Sequence, residues 1–269
     1  MIVSLDDSAV RDARLCGGKA AALAALIAAK FPVPEGFLVT TPDEPDLIAC
    51  LNALEKRIEP DSLFAVRSSG FAEDSADSSF AGQFETVLAV KGPVEVSNAV
   101  ARCFASFSNS RSAAYRESRK ASGQGGAVIV QRLVEADAAG VAFTLDPLTG
   151  ARDVVVIEAN FGLGDSVVGG HVNPDGFTVA KKTGEIVRRR IGDKRVRSVV
   201  ASNGVRLDPL PEHLWREPSL SDEAIRTVAE LARRAEEHHG GPVDIEWAWK
   251  NDRVWLLQSR PVTSSGSST

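Results

Sequence analysis

The final strand-forming stretch constrains the fold of this chain more than any other. Asp244-Ile245-Glu246-Trp247-Ala248-Trp249, a polar turn, and Val254-Trp255-Leu256-Leu257-Gln258-Ser259-Arg260-Pro261 alternate with a period of two, which calls for two antiparallel strands with distinct faces. Asp244 and Glu246 then point to one face, roughly 6.5–7 Å apart along the strand. Val243, Ile245, Trp247 and Trp249 take the other face. On the returning strand Gln258 and Arg260 share a face, and the turn decides whether it is the acidic one. A loop of two residues, Asn251-Asp252, would set Glu246 opposite Leu257. A loop of three, Asn251 to Arg253, would set Glu246 opposite Gln258 and Asp244 opposite Arg260. The longer loop is expected, because it gathers all the polar groups and leaves the tryptophans on the core side.

Carboxylates with an amide oxygen are hard ligands of the kind Mg²⁺ takes, and a neighbouring guanidinium suits a phosphate carried by that metal. Taken alone, the same residues also describe a surface hairpin with a cross-strand ion pair. Two upstream features bear on the choice. Gly17-Gly18-Lys19 opens an Ala/Leu-rich helix running to Lys30 and stopped by Pro32 and Pro34, which sets free amides and a cation at a helix N-terminus. A Gly-Gly cap is common, and the P-loop form is absent. Arg67 ends the apolar run Phe64-Ala65-Val66 and leads into a serine-rich, glycine-containing loop from Ser68 to Gly82 that also holds Glu73, Asp74 and Asp77. That composition suits a lid over phosphates or a plain surface loop.

Elsewhere the pattern gives a strand at 36–40, a helix at 46–58, a strand at 83–90 and one or two helices over 93–120. Strand-like runs follow at 127–134, 139–144 and 154–159, then a helix from Ser221, its N-cap, to His239. The cluster Gly123-Gln124-Gly125-Gly126 marks a boundary, giving an N-terminal half at 1–123, a C-terminal half at 124–263 and a disordered tail at 264–269.

A net charge of −5 argues against a general nucleic-acid binder. The basic run Lys181, Arg188, Arg189, Arg190, Lys194, Arg195 and Arg197 reads as a solvated face or as a docking or phosphate-steering patch. Cys16, Cys50 and Cys103 show neither disulfide nor zinc spacing. With no leader-like N-terminus and no bilayer-length apolar stretch, a cytoplasmic protein without a membrane partner is expected.

The chain resembles the nucleotide-binding domain of the phosphoenolpyruvate synthase and pyruvate phosphate dikinase family, which includes rifampin phosphotransferase and the dikinases of starch metabolism. The resemblance is carried by Gly17-Gly18-Lys19 with Val33-Pro34-Glu35-Gly36-Phe37, by Ala65-Val66-Arg67-Ser68-Ser69 and by Ser79-Phe80-Ala81-Gly82-Gln83. It continues through Val130-Gln131-Arg132-Leu133-Val134, Gly140 to Pro147, Gly162-Leu163-Gly164-Asp165, Asn173-Pro174-Asp175, and Asp244-Ile245-Glu246 with Leu257 to Pro261. It implies an α+β, ATP-grasp fold in which two halves clamp ATP. By the same resemblance Lys19 and Arg67 hold phosphates, and the main chain around Gln131, Arg132, Leu133 and Val134 lines the adenine pocket. Glu246 and Gln258 hold Mg²⁺ with Asp244 close by, and Arg260 contacts the transferred phosphoryl group. Asp165 stands where the family has Glu, one methylene longer.

Relatives in that family continue into a swivelling domain whose histidine accepts phosphate. No such domain is expected from this sequence after Thr269, and His171, His213, His238 and His239 lie in no similar context. The expectation is therefore an ATP- and Mg²⁺-dependent phosphotransferase acting as a stand-alone chain. Its acceptor, supplied in trans, would be a small molecule or a histidine on a separate phospho-carrier protein. An ATP-grasp ligase that activates a carboxylate, and a non-catalytic ATP-binding regulator, are the alternatives.

Overall fold

The computed structural model describes residues 1–41, 46–55, 62–70, 85–109, 126–202 and 204–262. They fall into two units, Met1–Leu133 with Ser202–Gly204, and Val134–Ala201 with Val205–Thr269.

In the first unit β1 (Ile2–Ser4), β2 (Gly36–Val39), β3 (Phe64–Gly70), β4 (Thr86–Val90) and β5 (Gly126–Arg132) form one antiparallel sheet in the order β1-β2-β5-β3-β4. Helices cover both faces, which is why β2 and β5 read as unbroken apolar runs instead of alternating ones. On one face Leu38, Ala127 and Ile129 pack against Cys16 of α1 (Ala13–Cys16) and against Ala20, Leu23 and Ala24 of α2 (Gly18–Ala28). On the other, Phe37, Phe64, Val66, Val128 and Val130 meet Leu47 and Leu51 of α3 (Leu47–Glu55) and Val96, Val100 and Phe107 of α4 (Pro93–Asn109).

The expected helices extend to 58 and 120, and residues 56–58 and 110–120 lie outside the described residues, as do 71–84, most of the serine-rich stretch, and the tail from 263. Ser68, Ser69 and Gly70, read from sequence as the start of a loop, continue β3 instead. They do so because they pair residue for residue with Val128, Ala127 and Gly126 of β5. Of the glycine cluster, 123–125 lie outside the described residues, and β5, which follows it, is central to the first unit's sheet.

The second unit is built on a sheet of six strands, β13-β12-β6-β7-β8-β9, antiparallel throughout: β6 (Ala138–Phe143), β7 (Val154–Phe161), β8 (Asp175–Ala180), β9 (Ile186–Arg190), β12 (Val243–Lys250) and β13 (Arg253–Pro261). The short helix α5 (Asp165–Val168) precedes β8, and β10 (Val196–Ala201) and β11 (Gly204–Pro209) make a separate pair. Helix α6 (Asp222–His239) lies across β12, β7 and β13. Its N-terminus is capped by Ser221, whose hydroxyl accepts from the Ala224 amide at 3.2 Å, and Gly240 ends it in the left-handed conformation. The apolar stripe of α6 (Ile225, Val228, Leu231, Ala232, Ala235) is buried, as are Ile157, Phe177, Ile245 and Trp247 of the sheet.

The basic run forms β9 and its flanks, and most of its cations have partners. Arg189 pairs with Asp222 at the start of α6 (2.6 Å), and Lys181 with Glu236 (2.7 Å). Lys194 departs furthest from a solvated face. It is fully buried and donates to Asp175 Oδ1 at 2.6 Å, while Asp175 also accepts from Gly192 N, Ser219 N and Ser219 Oγ. No helix among the described residues is long and apolar enough to cross a membrane.

Candidate active site

The terminal hairpin reaches its expected pairing by an unexpected route. Lys250 pairs with Arg253, so the loop has two residues, Asn251 and Asp252, at φ 49° and 54°. These are the left-handed angles of a type I′ turn, whose twist matches that of the flanking strands. The loop of three is thus overturned. Yet Glu246 stands opposite Gln258 and Asp244 opposite Arg260. The register slips between Glu246 and Trp247, Trp247 facing Leu256, so Leu257 is an extra residue, a β-bulge. It turns Gln258 and Arg260 onto the acidic face, the task sequence reasoning had assigned to the loop.

The bulge also moves a tryptophan. Trp247 is buried with the core, but Trp255 stands opposite Ala248 and therefore on the face of Glu246. There Trp255 and Leu257 pack on a small apolar cluster of Val134, Ala139 and Ala248, and the Arg253 guanidinium lies over the Trp255 ring at 3.9 Å.

One face of the second unit's sheet therefore carries an apolar patch at Ala139, Ala248 and Trp255, then the pair Glu246 and Gln258, then Asp244 and Arg260. Arg260 Nε donates to Asp244 Oδ1 at 3.2 Å. Gln258 is nearly buried, while Arg260 and Asp244 are partly exposed. Two acids and an amide on adjacent strands are an oxygen donor set, which suits a hard cation and not a soft one. A larger cluster is not needed for that chemistry, and no group of three His, Cys, Asp or Glu side chains forms a metal-ligand set among the described residues.

In the first unit the structure explains the glycines and brings the two cations to one region. Arg67 sits opposite Ile129 on β3, on the sheet face that α2 covers, and Ser69 follows two residues later. The Ser69 hydroxyl accepts from the Ala20 amide at 3.1 Å, capping the helix that Lys19 helps to open. Gly17 has φ +80°, and a Cβ there would fall 2.3 Å from the Ser69 carbonyl oxygen, so a side chain is excluded by both angle and space. Part of the Gly-Gly-Lys signal is thus tertiary packing, with one of the amides at that helix start already occupied.

Gln131, buried on β5, donates its side-chain amide to Pro34 O at 3.0 Å and so braces the stretch before β2. The Arg132 amide donates to Glu35 O and the Leu133 amide to Leu63 O, each at 2.8 Å. Val134, by contrast, belongs to the apolar patch beside Glu246. Asp165 accepts from Ser198 Oγ at 2.8 Å, which ties the shortened acid to β10. His171 and His213 are exposed. His239 lies 3.1 Å from Ser259 Oγ on the face of β13 turned from the acids. Sequence reasoning passed over two charged groups: the buried Lys194–Asp175 pair, and Glu158 on β7, which stands in line with Glu246 across Val141.

The chain is thus α+β, with two antiparallel-sheet units, one bearing Lys19 and Arg67 and the other a face of acids, amide and arginine. The chain belongs to the family of pyruvate phosphate dikinase AMP/ATP-binding domains, whose description matches residues 44–269. It is 38% identical over 240 residues to a probable phosphoenolpyruvate synthase of Methanothermobacter thermautotrophicus, a match covering 86% of this chain and 35% of that protein. A rifampicin phosphotransferase of a Streptomyces species is 40% identical over 233 residues, covering 83% of this chain and 26% of its own. The prodigiosin synthesizing transferase PigC of Serratia marcescens is 38% identical over 302 residues, covering 98% and 33%. The chain thus spans about a quarter to a third of the length of the curated relatives it matches.

Proposed function

We propose that this chain is the nucleotide-binding unit of an ATP- and Mg²⁺-dependent phosphotransferase that passes a phosphoryl group from ATP to an acceptor supplied in trans. The observation that carries this reading is the hairpin register, which aligns Glu246 with Gln258 and Asp244 with Arg260 on one face. In this reading Glu246 and Gln258 hold Mg²⁺ through a carboxylate and an amide oxygen. Asp244 stands beside them and orients Arg260 through their hydrogen bond. Bound there, Mg²⁺ supplies charge neutralisation to the phosphate oxygens.

Phosphoryl transfer asks the protein chiefly to position its reactants and to meet developing negative charge. Lys19 and Arg67 hold phosphates, and Arg260 meets the group in flight. The main chain around Gln131 to Val134 lines the place of the base. The names of two relatives refer to small molecules, phosphoenolpyruvate and rifampicin, which supports a small-molecule acceptor over a carrier-protein histidine. Three free cysteines suit a reducing compartment such as the cytoplasm.

The test is nucleotide product analysis with Mg-ATP and candidate acceptors. AMP with phosphate marks dikinase chemistry, ADP a simple kinase, and ADP released only with an amine would instead mark a ligase. Glu246→Ala and Arg260→Ala should each lower turnover by about 10²-fold or more with the circular dichroism spectrum unchanged. Normal turnover in either variant removes the site assignment.

A further inference from the structure

Ser259 is the polar member of a row that is otherwise apolar until its far end. It stands opposite Ile245, and the row continues across the sheet through Ala142, Ile157 and Phe177 to Arg189. Ser259 and the four apolar residues are all buried. A buried hydroxyl has to find a partner. That of Ser259 shares a hydrogen bond of 3.1 Å with His239 Nε2, on the last residue of α6. The other end of the row is tied to the same helix, Arg189 pairing at 2.6 Å with Asp222, the first residue of α6. The lengths agree: a helix of 18 residues is about 27 Å long, and a row crossing six strands spans about 24 Å. Helix α6 touches all six strands and is a strap fastened at both ends.

The two fastenings do different work. The Arg189 end lies on β9, at the sheet edge far from the acids. Ser259 lies between Gln258 and Arg260, whose side chains point the other way, to the face of Glu246 and Asp244. Strand β13 is the opposite edge of the sheet, with β12 as its neighbour, and its bulge at Leu257 comes immediately before Gln258. A bulge bends its strand and raises the local twist, and at an edge no second strand opposes that movement. The backbone ladder to β12 sets the register of Gln258 and Arg260. The bond from Ser259 to His239 adds a hold from the opposite face, at the residue between them. Beside it the Val262 amide donates to Pro242 O at 2.8 Å, closing the corner where α6 leads into β12.

Resting on the nucleotide reading given above, we propose that Ser259 and His239 are positioning residues of the site: their hydrogen bond fastens β13 to the end of α6 and so fixes where Gln258 meets Mg²⁺ and Arg260 the phosphates. Calorimetric titration of the full chain with ATP, once with Mg²⁺ and once with EDTA, measures the factor by which Mg²⁺ tightens binding. Ser259→Ala and His239→Phe should each cut that factor by about fivefold, the worth of one ordinary hydrogen bond. Ser259→Thr, which keeps the hydroxyl, should retain the wild-type factor. The double variant should lose no more than either single one, because the same bond is broken in all three. Asp222→Asn frees the far end of the strap, and it should lower the melting temperature at most, leaving the factor unchanged. A wild-type factor in Ser259→Ala or His239→Phe overturns the proposal and leaves the nucleotide reading standing. So do losses that add in the double variant, or an equal loss in Asp222→Asn, which would make the effect one of general stability. A wild type whose ATP binding Mg²⁺ does not tighten overturns the nucleotide reading, and the positioning role with it.

Discussion

Lys194 is set among cations that read as a solvated face, yet its side chain is wholly inside the protein. Its ammonium is held by Asp175 and also donates to Trp215 O at 3.3 Å, with the Phe161 ring 5.8 Å away. Removing one partner of such a pair leaves a buried charge uncompensated, which is far costlier than the pair is favourable. His239 carries a pH dependence of its own. Burial first, then the neighbouring His238, pushes its imidazole below the ordinary value of 6.5. As pH falls through 6.5 the unfolded chain takes up a proton that the folded chain still refuses. The stability tied to His239 is therefore whole above that pH and is lost as pH drops toward the lower folded value. Melting midpoints should fall between pH 7.5 and 5.5, and His239→Gln should flatten part of that slope. An unchanged slope would show that His239 is not its source. Neither residue was legible in the sequence, because burial of a charged side chain depends on partners such as Asp175 and Ser259, which lie 19 and 20 residues away.

At the scale of elements the terminal hairpin shows what a pattern can and cannot reveal. The polar pairs were legible because Asp244, Glu246, Gln258 and Arg260 alternate within their strands, and the apolar faces leave few registers open. The turn was misjudged because one extra residue in the loop and one in the strand change the face of Gln258 identically, and the sequence does not say where it is placed. Asn251 and Asp252 now make a sharp prediction. Both have left-handed angles, and Asn-Gly is the preferred pair for such a turn. Asp252→Gly should stabilise the protein by about 0.5–1 kcal/mol, visible as a small rise in melting temperature at neutral pH. A fall would mean that the Asp252 side chain contributes more than its backbone angle costs. Strands β8 to β11 went unread for a different reason. Arg188, Arg189 and Arg190 carry no apolar alternation, and β9 exists because β8 offers it an edge, pairing Thr178 with Arg188 and Phe177 with Arg189.

For the whole molecule, fold class and family were legible because short motifs in fixed order run from Gly17 to Pro261, each doing local work that the structure identifies: Gly17 admits Ser69, Gln131 braces Pro34, Asp175 anchors Lys194. Glu158 escaped notice because it lies inside the apolar run Val154 to Ala159, and only the strand order β12-β6-β7 sets it in line with Glu246. Each unit divides its labour by sheet face, and in the second the division along the last two strands is interrupted once, at Leu257. That interruption leaves a signature which genetics can read without a ligand. A saturation-mutagenesis map of 243–261 should show tolerance rising and falling at every second position, and at 257 the rhythm should miss a beat. Core-like intolerance should fall on the even-numbered positions 254 and 256 and on the odd-numbered 259, while the positions that answer only to activity change from odd to even at the same point.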